Sequence, residues 1–95
     1  MSEAARPPAD EPRATRLKRL KMRSIRRGIK EMDIILTRFS DEALESLDTQ
    51  ALDEYEALLA QNDQDLYQWV TGQTAPPADL DGIVARIRAS VDMNV

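Results

Sequence analysis

The consecutive residues Arg26, Arg27, Gly28, Ile29, Lys30 and Glu31 offer the densest chemistry in this 95-residue chain. Guanidinium, ammonium and carboxylate groups stand there around one residue with no side chain. Such groups make charge-assisted hydrogen bonds, stronger than neutral ones, and a glycine between them lets a second backbone come close. Two readings follow. If helix continues through Gly28, Arg27 and Glu31 lie one turn apart and pair locally, worth about 0.2 to 0.5 kcal/mol on an exposed face. Alternatively, the bare backbone admits another protein while Arg27 and Glu31 bond across the contact. Residue physics alone narrowly favours the local pair, because Arg-Gly steps are common at helix ends.

Two other stretches compete for attention. Cations crowd residues 13 to 30 and would suit phosphates, but the aromatics Phe39, Tyr55, Tyr67 and Trp69 all lie further along the chain. Base stacking therefore has no partner within the basic segment. The run Asp63, Gln64, Asp65, Leu66, Tyr67, Gln68, Trp69 has acids at a helix start and Leu66 and Trp69 on one face, which reads as cap and core rather than ligand site. Acid pairs such as Asp53 and Glu54 read as solvated helix surface, without the spacing of a calcium loop.

The chain has no cysteine and no histidine. Disulfides, Cys/His zinc sites, thiolate nucleophiles and Ser-His or Cys-His pairs are thereby excluded. A carboxylate-only metal site or a two-carboxylate hydrolase would need a cleft that so small a core hardly provides. No catalytic residue and no metal ligand is expected. The net charge of -4 conceals a strong asymmetry: residues 1 to 30 carry ten basic and three acidic side chains, net +7, and residues 31 to 95 three basic and fourteen acidic ones, net -11. An acidic body would repel a long polyanion within a Debye length of about 10 Å at 0.1 M salt. Nucleic acid therefore trails both a solvated helix and a protein-docking face.

These residues must be positioned by helices. Apolar side chains recur at steps of three and four, and glycines and β-branched runs are few, so the fold class is all-α, a small single-domain five-helix bundle. Residues 1 to 13 hold three prolines and almost no large apolar group; they are expected as a disordered tail, with the five-helix domain over 14 to 95. The spacing predicts a first helix over about Thr15 to Arg27, stopped by Gly28 in a left-handed conformation. A second runs from Ile29 to Leu47 with a bend near Ser40, and a third is capped by Asp48 or Thr49. A fourth starts at Asn62 and Asp63 and stops at Gly72. The last begins near Asp79, with Arg86 and Arg88 suiting its C-terminal end. The tail has acids and no hydrophobic run, and no stretch approaches the length of a membrane span, so a cytoplasmic protein is expected.

Around the Arg-Gly junction the sequence resembles the SdhE family of FAD assembly factors for succinate dehydrogenase. That family has an Arg-Gly-x-x-Glu motif, here Arg27, Gly28, Ile29, Lys30 and Glu31, within a longer similar string from Arg23 to Leu36. Similarity continues in Leu58 and Leu59, then Asn62 to Trp69, which looks like the family's Asp-Pro-Asp-Leu-aromatic-x-Trp. Ile25 and Gln64 depart from the pattern, standing where the family often has an aromatic residue and usually a proline.

The resemblance implies a five-helix helper that is not itself an enzyme. It would bind the flavoprotein subunit of succinate dehydrogenase, with fumarate reductase as a second client, and promote covalent attachment of FAD to a histidine of that partner while binding no cofactor stably itself. Arg27 and Glu31 would contact the client, Gly28 would allow close approach, and Arg23 and Arg26 would steer an acidic or flavin-bearing surface. A monomer is expected. The competing class is a basic-helix nucleic-acid-binding module or a general, antitoxin-like interaction module.

Overall fold

The apolar periodicity resolves into five α-helices and no strand among residues 11–93, which the computed structural model describes. The helices are α1 (Arg13–Ser24), α2 (Lys30–Ala43), α3 (Thr49–Leu59), α4 (Asp63–Val70) and α5 (Asp81–Met93), with one-turn 3-10 segments at Leu44–Ser46 and Ala78–Leu80. The inner faces of all five meet in one core. Leu20, Met32, Leu36, Tyr55, Leu58, Leu66, Ile83 and Ile87 are fully buried there, and the Phe39 and Tyr55 rings pack at 5.5 Å with a tilt of 41°. Among the described residues no helix is long and apolar enough to cross a membrane.

Local chemistry sets the helix ends. Asp48 Oδ1 accepts from the Ala51 amide at 2.8 Å and caps α3, while Asn62 Oδ1 accepts from the Gln64 amide at 2.8 Å and caps α4. Gln64 thus donates a bond that the family's usual proline could not. At the far end of α4, Gly72 takes φ +82° and the Gln73 amide turns back to the Gln68 carbonyl at 2.8 Å. That conformation favours glycine.

Helix α1 fully encloses only Leu20 and Ser24, with Leu17 packed part-buried against the core. Charge adds to this. Glu56 of α3, buried despite its carboxylate, accepts from Arg19 Nη1 at 2.9 Å and from Arg16 Nη2 at 3.1 Å. Arg16 also reaches Asp53 at 2.7 Å, and Arg19 reaches Glu11 at 3.0 Å. Arg13 donates to the carbonyls of Glu45 and Leu47, and Lys21 pairs with Asp41 of α2. The basic segment and the acidic body are therefore two halves of one internal interface. Ser24 adds a neutral bond: its hydroxyl donates to the Leu20 carbonyl at 2.8 Å and accepts from the Tyr55 hydroxyl at 2.6 Å.

Several expectations are corrected. The structured region begins earlier than residue 14, since Glu11 binds Arg19 and Arg13 opens α1; the rest of the expected tail, residues 1 to 10, lies outside the described residues. Helix α1 stops at Ser24, and the left-handed residue beyond it is Arg26, φ 57°, not Gly28. No fresh helix starts at Ser40: α2 runs through it, its hydroxyl donates to the Thr37 carbonyl at 2.9 Å, and the break comes at Ala43 and Leu44. Arg86 and Arg88 stand a turn or more before the end of α5, whose last turn has no basic residue. The Arg88 guanidinium lies over Gly72 instead.

Candidate functional site

The Arg-Gly junction forms an elbow rather than a helical turn. Ile25 and Ile29 are extended on either side of it, with Arg26 left-handed between them. A left-handed non-glycine residue costs roughly 1 to 2 kcal/mol, so neighbouring contacts must hold it. One does so directly: the Arg26 amide donates to Asp33 Oδ1 at 2.9 Å, and the Thr37 hydroxyl steadies that same oxygen at 3.3 Å. The elbow is thereby tied to the first turns of α2.

A second tie comes from far along the chain. Asp63, first residue of α4, accepts from Arg27 Nε at 2.9 Å and lies 2.8 Å from Arg27 Nη2. Its other oxygen accepts from the Gly28 amide at 2.6 Å. Arg27 completes its set with Nη1 to the Arg23 carbonyl at 2.7 Å and Nη2 to the Leu59 carbonyl at 3.1 Å. The arginine is thus largely enclosed, its side chain 12% exposed, with its donors spread over α1, α3 and α4. A Cβ on Gly28 would stand 3.1 Å from Asp63 Oδ2. The close approach at this glycine is made by the chain's own carboxylate.

The five expected contact residues therefore separate by position. Arg27 and Gly28 both bond Asp63, but only Arg27 and Arg23 are half-buried; Gly28 is exposed, as are Arg26 and Glu31. The local Arg27–Glu31 pair does not form, since helix is interrupted between Ser24 and Lys30 and Arg27 turns to Asp63. Glu31 sits in the first turn of α2, where the helix's positive end favours an acid. Asp63 is the residue that sequence reasoning missed as part of this site. The capping role expected of it belongs to Asn62, which leaves the Asp63 carboxylate free to turn across the fold. Its place beside the motif in the family-like strings was the available signal.

The titration of the surrounding charges follows from the same packing. Burial alone would raise the Glu56 carboxyl, but hydrogen bonds and charge from Arg19 and Arg16 outweigh it and hold the group below its ordinary value of 4.5. The hydrogen bond from Arg19 likewise lowers Glu11, and the two carboxylates hold the Arg19 guanidinium above its usual range.

Comparison with known proteins adds a lineage to this geometry. Residues 18–91 match the family described as the flavinator of succinate dehydrogenase. Among curated proteins, the mitochondrial succinate dehydrogenase assembly factor 2 of Meyerozyma guilliermondii is 46% identical over 61 residues, covering 64% of this chain and 45% of that protein. The mitochondrial assembly factor 2-A of Drosophila mojavensis is 34% identical over 80 residues, covering 82% of this chain and 51% of that protein. The chain thus spans about half the length of these curated relatives. Their names overturn the cytoplasmic expectation, since each is designated mitochondrial. That expectation drew on the composition of a short tail, which bears on leader peptides and not on the compartment in which a fold works.

Proposed function

This chain belongs to the succinate dehydrogenase flavinator family, and from that premise we propose that it binds the flavoprotein subunit of succinate dehydrogenase and promotes covalent attachment of FAD to it. Fumarate reductase is the second client class. The reaction belongs to the partner, whose histidine is joined to the flavin; this chain has neither histidine nor cysteine and acts as a non-enzymatic chaperone with no stably bound cofactor. It accelerates the step by favouring the client conformation in which histidine, flavin and charge-stabilising groups are aligned.

The observation that carries this reading is the Asp63 clamp. By fixing Arg27 and Gly28 from a third element, it gives the elbow one shape and leaves Arg26 and Glu31 open to solvent with Arg23 beside them. Docking surfaces gain from such preorganisation because less freedom is lost on binding. Arg23, Arg26 and Glu31 then contact the client, and Arg27 and Gly28 act as positioning residues. The nucleic-acid alternative is disfavoured by the same packing, because Arg16, Arg19 and Lys21 are engaged by acids of the body.

The test is covalent flavin in the client, read as fluorescence on a denaturing gel. The chain as it stands is expected to raise it, and Arg26→Ala, Glu31→Ala and Gly28→Val to lower it with helicity unchanged. Normal flavinylation with all three variants overturns the assignment.

A further inference from the structure

Arg26 is the one non-glycine residue with positive φ among the described residues, at 57°. It is exposed, and its guanidinium has no hydrogen-bond or ion-pair partner among the described residues. A glycine would take up the left-handed conformation without a Cβ clash. Yet glycine stands two residues further on, at Gly28, which is not among the positive-φ residues. The chain thus keeps a long side chain where the backbone resists even a Cβ. Strain of this kind persists only where the surrounding structure over-determines it, and it collects at functional sites. No described group inside the fold uses the Arg26 guanidinium, so what the strain secures is the direction in which it leaves the surface.

Asp33 supplies the hold. Its side chain reaches back seven residues, Oδ1 accepting from the Arg26 amide at 2.9 Å. Its own amide donates to the Ile29 carbonyl at 2.9 Å and closes the first turn of α2. One residue therefore ties the left-handed position to the start of the helix that follows it. The Thr37 hydroxyl, one turn further along α2, donates to the same oxygen at 3.3 Å and orients the carboxylate. Asp63 holds the Gly28 amide from α4, so alternate amides of the elbow are bound by carboxylates of two different helices.

We infer that Asp33 is a positioning residue for docking: it holds Arg26 left-handed, so that the guanidinium meets a hydrogen-bond acceptor of the flavoprotein subunit without first having to find that conformation. This rests on the functional reading above, which puts Arg26 at the contact, and adds the residue that acts through it. Apparent affinity falls with the fraction of molecules in the binding-competent state. The Asp33 bond keeps that fraction high.

The experiment measures binding of the full chain to the isolated flavoprotein subunit by isothermal titration calorimetry, in a double-mutant cycle of Asp33→Ala and Arg26→Ala with Asp33→Asn as the conservative variant. Asp33→Ala is expected to weaken binding about tenfold at unchanged helicity, since it removes the bond that holds the competent conformation. The same change on an Arg26→Ala background should cost less than about twofold, because no guanidinium remains to be aimed. Asp33→Asn keeps an oxygen that accepts from the Arg26 amide and should bind within about twofold of the unmodified chain. Equal weakening by Asp33→Ala in both backgrounds, as a direct contact or a purely structural role would produce, overturns the inference and leaves the functional reading standing. Normal binding by either single alanine variant overturns it too, as does an Asp33→Asn variant as weak as Asp33→Ala. If the unmodified chain does not bind, the inference and the functional reading both fall.

Discussion

Asp63 and Arg27 meet at 2.8 Å across 36 residues of sequence, and this pair makes the Arg-Gly junction a rigid elbow instead of a frayed helix end. Both carboxylate oxygens are used: one serves Arg27 and the other the Gly28 amide. Asp63→Asn replaces one acceptor with a donor, which must then face either the guanidinium or the amide. A loss of about 1 to 3 kcal/mol is expected in urea unfolding. Flavinylation of the client should fall further than this loss of stability explains.

Gly28→Ala tests the close approach rather than backbone freedom, since Gly28 is not among the positive-φ residues. Its new methyl would sit 3.1 Å from Asp63 Oδ2, an oxygen already bonded to the Gly28 amide on a carboxylate that Arg27 holds through Oδ1. The expected cost is about 1 kcal/mol, shrinking in an Asp63→Ala background, as a double-mutant cycle would read. An undiminished cost there would mean that the carboxylate is not what excludes the methyl.

Acid should detach α1 first. The folded-state values of Glu56 and Glu11 are both depressed below 4.5, so their stabilisation is present above that pH and is lost as pH falls through the folded values. Hydrogen exchange of α1 amides should therefore accelerate below about pH 4.5 before that of α4 and α5. Glu56→Gln removes a buried partner from Arg16 and Arg19, at an expected cost of about 3 kcal/mol at neutral pH. It should also flatten the acid limb of the stability curve.

The hydroxyl pair at the end of α1 gives a second, alkaline signature. Burial pushes the Tyr55 phenol up to about 12 from 10.0, against a smaller opposing effect of the Ser24 bond. The folded state then keeps its proton longer than the unfolded chain, so stability is complete below pH 10 and falls as pH rises towards 12. Tyr55→Phe should remove this slope at a cost of about 1 kcal/mol, because Ser24 still bonds the Leu20 carbonyl. Ser24→Ala should cost more, about 1 to 3 kcal/mol, since it strands a buried phenol.

Helix content, the Asp48 cap and the stop at Gly72 were legible in the sequence because each depends on residues within one or two turns. Leu20, Met32, Leu36, Leu58 and Ile87 could be placed in the core by spacing alone, since a period near 3.6 puts them on one face whatever that face meets. Ser40 and the end of α1 were misread for a related reason: turn-forming residues mark places where a helix can stop, while packing decides whether it does. The motif from Arg27 to Glu31 was visible, and so was the segregation of charge on either side of it. Their meaning was not. Only folding laid the basic helix on Glu56 and Asp53, turning an apparent polyanion site into an internal interface. Only folding, too, brought Asp63 to Gly28, so that the residue chosen for conformational freedom proved to be there for room. Both relations join groups more than thirty residues apart, where Coulomb attraction and close packing act through space and leave no period in the chain.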